Sequence, residues 1–513
     1  MDLSDLKGMP KTWRKLLVWG ALLALIAAAL VSLLACGSSP SMNADTPIAI
    51  ENRKHGDSDW VLTNPSLQHE IEGYASATSV NRGETIDFFV STMDPTFTLE
   101  VFRMGWYWGA GARKLLNAVL LPGLQQPIPG PDPITGLIEC QWQKSYSLTI
   151  PYDAKDPTYW ASGFYLAKLT SSLSGKQSYI IFVVRDDARF SKYLFQASFT
   201  TFEAYNNWGG KSLYNNGVGG RAVKVSFNRP FAPGLQAIAA SGVGAGEFLT
   251  NYAPVTESYP GGWQYNMVRF LEQNGYDVTY SSDLDLHERP DLLHNHNAFL
   301  VVGHDEYWSW QMRTNTISAL NAGVNMAFFA ANVSYWQIRM EPSLITGQVD
   351  RTEVCYKDSN DPVKGELETI MWRSLGLPED EFIGVMYLTD EVKGDIQVQD
   401  TTDWVFAGTG LHDGDKLKGL LGYEVDTVST GSPSDVVVLA SSPFESGKVL
   451  DHSQVVRYTA ASGATVFATG SMDWNWGLDD YNVPAIRPSV LSAPAQKITN
   501  NVLVRLGSAP KEP

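Results

Sequence analysis

Between residues 299 and 309 the chain reads Phe299-Leu300-Val301-Val302-Gly303-His304-Asp305-Glu306-Tyr307-Trp308-Ser309. Four apolar residues and a glycine lead into an imidazole, two carboxyls and a phenol. That order predicts a buried strand, a turn and the start of a helix. In open α/β folds, ligands bind in the crevice beyond the carboxyl ends of the strands. His304, Asp305, Glu306 and Tyr307 would emerge there. Imidazole and carboxyl groups hold and move protons, and a helix N-terminus favours an oxyanion. The same residues also admit a structural reading, with Asp305 and Ser309 as helix caps and Tyr307 and Trp308 as packing.

Other signals are weaker. Gly422-Tyr423-Glu424-Val425-Asp426 puts two carboxyls on one side of an extended segment, which a solvated strand face would also do. Asp473, after an apolar run, is placed to border the crevice. His287, His294 and His296 have some of the spacing of a metal cluster but sit in a polar loop. Asn207-Trp208-Gly209-Gly210-Lys211-Ser212 lacks the spacing of a phosphate-cradling loop. Arg103 and Arg113, around the aromatic loop 105–111, suit ion pairs at a seam between domains.

The elements that must position these groups fall into two textures. From 59 to 187 short strands alternate with turns; Phe97, Leu99 and Val101 keep the period of a half-buried strand. This predicts an immunoglobulin-like β-sandwich. From 188 to 508 helices and apolar strands alternate. Helices are expected at 265–274 and 309–322, and strands at 276–280, 299–302, 324–330, 436–440 and 464–468. Such alternation predicts an α/β domain with a mainly parallel sheet, of glutamine-amidotransferase or flavodoxin-like type. The whole is an α+β multidomain chain.

A formal charge of −17 argues against nucleic acid as a partner. Lys7, Lys11, Arg14 and Lys15 precede an apolar run from Leu16 to Ala35, the order of an export signal. Residues 1–36 are therefore expected to direct export and 37–58 to form a tether. Two anchors remain open: a lipidated Cys36, or an uncleaved membrane helix. Both place the protein on a membrane, outside the cytoplasm. Cys140 and Cys355 are the other cysteines, and sequence leaves their pairing open.

The GHDEYW turn resembles that of the N,N-dimethylformamidase large-subunit family. Further matches follow in order: Ile71-Glu72-Gly73-Tyr74-Ala75-Ser76, Phe102-Arg103-Met104-Gly105, Ala204-Tyr205-Asn206, Gly275-Tyr276-Asp277-Val278, Ala331-Asn332, Cys355-Tyr356-Lys357 and Gly470-Ser471-Met472-Asp473-Trp474. The resemblance spans roughly residues 60 to 505. It implies a hydrolase of amide C–N bonds in a small substrate, with iron held by two tyrosines and a glutamate. By position these are Tyr307, Tyr265 and Glu366, with Glu368 and Glu341 as rivals for the glutamate. His304 and Glu306 are then the proton carriers, and Glu424 joins them as a supporting catalytic residue. A homo-oligomer or a small partner subunit is left open. The rival reading is a surface-anchored binding protein for a small molecule or carbohydrate. An amidotransferase-like hydrolase fails for want of a cysteine at the strand-to-helix turn.

Overall fold

The alternating run 97–101 lies within the strand Thr96–Met104. This comes from a computed structural model, which describes residues 46–214, 220–233, 242–249, 261–446, 449–481, 483 and 485–507. The export signal expected over 1–36, Cys36 and the first part of the tether lie outside the described residues. Among the described residues, no helix is long and apolar enough to cross a membrane.

The first half carries two sheets. One has the strands Ile71–Ala75, Thr85–Thr92 and Tyr146–Thr149. The other runs Ser79–Asn81, Gln177–Arg185, Gly163–Ser171, Thr96–Met104 and Ala112–Pro122. Ile86, Phe88 and Val90 of the first share a core with Leu99, Val101, Tyr165 and Ala167 of the second. The alternate residues Phe102, Phe164, Leu166, Ile181 and Val183 point the other way, into the main core of the second half. The larger sheet is thus buried on both faces, which is why every residue of Gln177–Arg185 is buried. One core crosses the boundary expected at 187.

The second half is built on a seven-stranded sheet. Its order is Val278–Ser282, Ser191–Ala197, His296–His304, Asn325–Ala331, Thr465–Ala468, Val449–Thr459 and Val437–Ser446. The first four pairings are parallel and the last two antiparallel. The expected helices appear as Trp263–Gln273 and Trp310–Asn321. The run expected to start a strand at 276 does so at Val278, because Gly275 first turns the chain with φ +68°. The architecture is α+β, with several sheets and few helices.

Residues 46–58 depart from the expected tether. Thr46 caps a short helix, Pro47–Asn52, and its hydroxyl donates to the Gly275 carbonyl at 2.9 Å. Ile48, Ala49 and Asn52 are buried. Their apolar contacts hold the segment on the fold, so any free tether must end before residue 46.

Asn52 leads to the seam. Its amide donates to Glu272 Oε2 at 2.7 Å. The Arg103 guanidinium grips the same carboxylate in a fork, at 2.7 and 2.8 Å, and also donates to the carbonyls of Ala161 and Ser162. Neither side chain has any exposed surface. Two glycines make room. A Cβ on Gly105 would lie 2.3 Å from Glu272 Oε2, and one on Gly163 would lie 3.0 Å from the guanidinium. The seam expected for Arg103 is therefore a fully desolvated ion pair. Cys140 and Cys355, whose pairing was open, are both free buried thiols.

Removing one partner of a buried pair strands the other charge, at a cost of about 3–5 kcal/mol. Arg103→Met should lower unfolding stability by that order, measured by urea denaturation. The double variant Arg103→Met/Glu272→Met should recover part of the loss. A single variant as stable as the parent would show that the seam is held by packing alone.

Candidate functional site

His304 ends the central parallel strand, so its ring leaves the sheet at the carboxyl edge. Gly303 before it has φ +75°, and a Cβ there would lie 2.8 Å from Trp263 Cβ. The first residue of the Trp263–Gln273 helix thus closes directly over the turn, while Gln264 Nε2 donates to Ser198 Oγ at 2.8 Å. Glu306 is held by its backbone: its N–H donates to Thr201 Oγ at 2.9 Å, and its carbonyl accepts from Tyr335 and Trp336.

Three carboxyls face the His304 ring. Nε2 lies 3.2 Å from Glu306 Oε2 and 3.6 Å from Glu424 Oε2, and Nδ1 lies 3.8 Å from Glu247 Oε2. All four side chains are buried. Burial works against charge on each, but the surrounding carboxylates hold the imidazole well above its ordinary range, Glu424 first. Glu424 is pushed up to about 8 by burial, against the pull of His304. Glu306 goes the other way: despite burial, His304, Lys357 and the Tyr205 hydroxyl hold it below the usual carboxylate range. Two adjacent carboxyls are thereby divided, one protonated and one ionised, the pattern that separates acid from base roles.

A row of phenols continues from Glu306. Tyr205 donates to Glu306 Oε2 at 2.8 Å, and the Tyr214 hydroxyl sits 3.1 and 3.2 Å from the two carboxylate oxygens. Tyr214 and Tyr205 hydroxyls are 2.7 Å apart, and Tyr307 donates to Tyr214 at 2.6 Å. The Tyr205 and Tyr214 rings stack at 4.3 Å. Burial, then the charge of Glu306, holds all three phenols well above their ordinary range. Lys357 closes the row with Nζ 3.5 Å from the centre of the Tyr214 ring, and burial pulls its amine down to about 8. Lys357, Asn332 and Ser334 all have left-handed φ, +60°, +53° and +56°. Such strain in non-glycine residues concentrates at functional sites.

The structure brings His304, Glu306 and Glu424 together, with Tyr307 joined through Tyr214. It does not bring Tyr265 or Glu366 to them. The Tyr265 hydroxyl donates to the Gly111 carbonyl at 2.7 Å, and its ring packs on Trp60, Phe248 and Tyr481. Glu366 is exposed, in a polar one-turn segment. Its rivals are engaged elsewhere, Glu368 with Lys364 at 2.8 Å and Glu341 with Lys224. Asp305 is not the expected helix cap: its carboxylate accepts from Gln196 at 2.7 Å and from Trp308 Nε1 at 2.9 Å, and the cap falls to Ser309 alone. Ser309 caps its helix, its hydroxyl accepting from the Met312 N–H. Asp426 accepts from the Asn332 N–H at 2.9 Å, and Asp473 from Trp263 Nε1 at 3.1 Å. His287 bonds to Ser309 and His296 to Ser191. Among the described residues, no group of three His, Cys, Asp or Glu is placed to hold a metal ion. Sequence reasoning missed Tyr205, Tyr214, Glu247 and Lys357 as site residues.

The fold and site define an α+β protein with a buried tyrosine–carboxylate–imidazole centre at the edge of a mainly parallel sheet. The chain belongs to the family described as N,N-dimethylformamidase beta subunit-like, C-terminal, which matches residues 98–486. Among curated proteins it is similar to the N,N-dimethylformamidase beta subunits of Paracoccus aminophilus, 24% identical, and of an Alcaligenes species, 22% identical. Each match covers 69% of this chain and 54% of the relative, so the chain spans about half the length of these relatives. A solved alkylpurine DNA glycosylase from Pseudomonas fluorescens matches at 15% identity over 23% of this chain and 30% of that chain; its TM-score of 0.14 carries no argument about fold.

Gly303→Ala tests how tightly the turn is built. A left-handed alanine costs about 1–2 kcal/mol, and overpacking against Trp263 about 1–3 kcal/mol more. Urea unfolding should show a loss in the sum of those ranges. A neutral substitution would mean that the turn relaxes freely and does not aim His304.

Proposed function

We propose that this chain hydrolyses an amide C–N bond of a small substrate at the cluster built on Glu306, using iron. The convergence of Tyr205, Tyr214 and Tyr307 with Glu306, beside His304, carries this reading. Membership of a family whose curated members are named dimethylformamidase subunits supports the reaction class.

The two-tyrosine, one-glutamate donor set fits this cluster, though with different residues from Tyr265, Tyr307 and Glu366. Tyr265 is engaged with Gly111, and Glu366 faces solvent. Tyr205, Tyr214 and Glu306 present hard oxygen donors within hydrogen-bond contact of one another, with Tyr307 behind them. Such donors suit iron better than zinc. Glu424 Oε2, buried beside them, has no hydrogen-bond partner among the described residues, which leaves it open to a bound ligand. Iron held there would polarise the amide carbonyl and acidify bound water.

The protein's own groups handle the protons. Glu424, kept protonated by burial, is the donor for the leaving amine nitrogen. His304 lies against both Glu306 and Glu424 and balances the charge of ionised Glu306. Lys357 borders the same space and draws Glu306 toward its ionised form. Tyr335 and Tyr387, with ring centres 5.1 Å apart, are close enough to Glu306 and Glu424 for burial and those charges to raise both phenols.

The setting belongs to the same reading. The basic-then-apolar N-terminus supports export and attachment to a membrane through Cys36 or the apolar run itself. The relatives' naming as subunits supports assembly with another polypeptide. The two-sheet packing of the first half supports an immunoglobulin-like description, and the parallel strands of the second a flavodoxin-like one.

Purified protein should contain one iron per chain and show a tyrosinate-to-iron absorption band. Tyr214→Phe and Tyr205→Phe should remove the band, while Tyr265→Phe should leave it intact. Glu424→Gln should retain iron but release amine from N,N-dimethylformamide or other small amides slower by roughly 10²–10⁴-fold. Iron-free protein that still cleaves amides would overturn the metal assignment. A panel of small amides left untouched by iron-loaded protein would overturn the reaction.

A further inference from the structure

The loop 105–111 is the most strained surface segment away from the site. Tyr107 and Trp108 have φ +44° and +58°, and Gly109 and Gly111 have φ +94° and +89°. Four backbone hydrogen bonds lock it, among them Gly109 N–H to Trp106 O at 2.9 Å and Gly105 N–H to Gly111 O at 2.9 Å. Tyr107 is buried and bonded to Arg103 and Glu51. Its neighbour Trp108 is turned outward and is 65% exposed, with its ring 5.4 Å from that of Trp106.

This ledge lies where the chain enters the fold. Asn52 Oδ1 accepts from the N–H groups of Trp106 and Tyr107, and Trp108 Nε1 donates to the Arg53 carbonyl. Ile50, 41% exposed, lies one helical turn from the exposed Arg53. Only nine residues separate Cys36 from Thr46, a reach of at most about 35 Å. A chain held at a membrane through Cys36 or the apolar run before it keeps this face close to the lipid.

We propose that the Trp106–Trp108 ledge, with Ile50 and Arg53, rests in the headgroup layer of a phospholipid bilayer and sets the orientation of the domain on it. The proposal rests on the reading that the N-terminus is membrane-anchored. Tryptophan favours the membrane–water interface because its ring is apolar and its N–H is polar. With a net charge of −17, the chain is not drawn to anionic lipid as a whole. The contact therefore depends on aromatic and apolar groups, and zwitterionic lipid suffices for it. A rigid loop also loses little conformational freedom on contact.

The test uses the full chain in phosphatidylcholine vesicles whose acyl chains are brominated near the glycerol, a short-range quencher of tryptophan. The comparison is with Trp106→Phe/Trp108→Phe; with an uncleaved apolar run Trp13 and Trp19 remain as a common background, and after processing at Cys36 they are absent and the fall is larger. The quenched part of the fluorescence should fall roughly twofold in the variant, while both proteins still float with the vesicles. Equal quenching in the two proteins would overturn the proposal alone and leave the ledge facing water, open to another partner. Failure of the parent chain to float with vesicles would remove the anchor reading, and this proposal with it.

Discussion

A single carboxylate, Glu272, ties this molecule together. It lies two turns from Tyr265 on the Trp263–Gln273 helix and accepts from Arg103, Asn52 and Tyr280, one from each body of chain that meets there. With no water to screen it, the pair tolerates little displacement, and glycine at 105 and 163 is what lets the guanidinium and carboxylate meet. The other end of the same helix places Trp263 over Gly303, immediately before His304. The seam and the site are thus two ends of one rigid element, and the position of the imidazole is referred back to the sheets of the first half.

At the site the governing constraint is also burial of charge. Three carboxyls and one imidazole cannot all be ionised inside a protein without large desolvation penalties. The arrangement resolves this by placing the imidazole among the carboxyls and leaving a proton on Glu424. The phenols supply neutral hydrogen-bond donors to the carboxylate that stays ionised. A cation brought to Glu306 would displace phenol protons and so change the balance of the whole group.

Much of the fold was legible because its signals are local. Period-two alternation marked the strand at 97–101, and unbroken apolar runs marked the parallel strands at 299–302, 324–330 and 464–468. Of the antiparallel arm 437–459 only the outer strand was read, at 436–440; the inner strand Val449–Thr459 interleaves Asp451, His452, Ser453 and Gln454 with its apolar residues and was missed. The site was legible where it is contiguous, at His304, Glu306 and Tyr307. Tyr205 and Tyr214 come from a different stretch, and only tertiary packing brings them onto Glu306. Tyr265 shows how positional matching fails: residues seven apart share a helix face, so Tyr265 looks toward the seam as Glu272 does. Glu366 sits beside Val363 and Leu367, which are themselves exposed, so its apolar neighbours do not carry it inward. Helix geometry combined with the expected role of Arg103 would have assigned Tyr265 to the seam.

The state of the cysteines bears on how the chain matures. Cys140 and Cys355 sit in separate apolar clusters, and burial pushes the Cys355 thiol up to about 12 and that of Cys140 higher still. Thiols so seldom ionised make poor nucleophiles toward oxidants and disulfides alike. Once folded, the described residues resist crosslinking through these two thiols whatever the redox state around them.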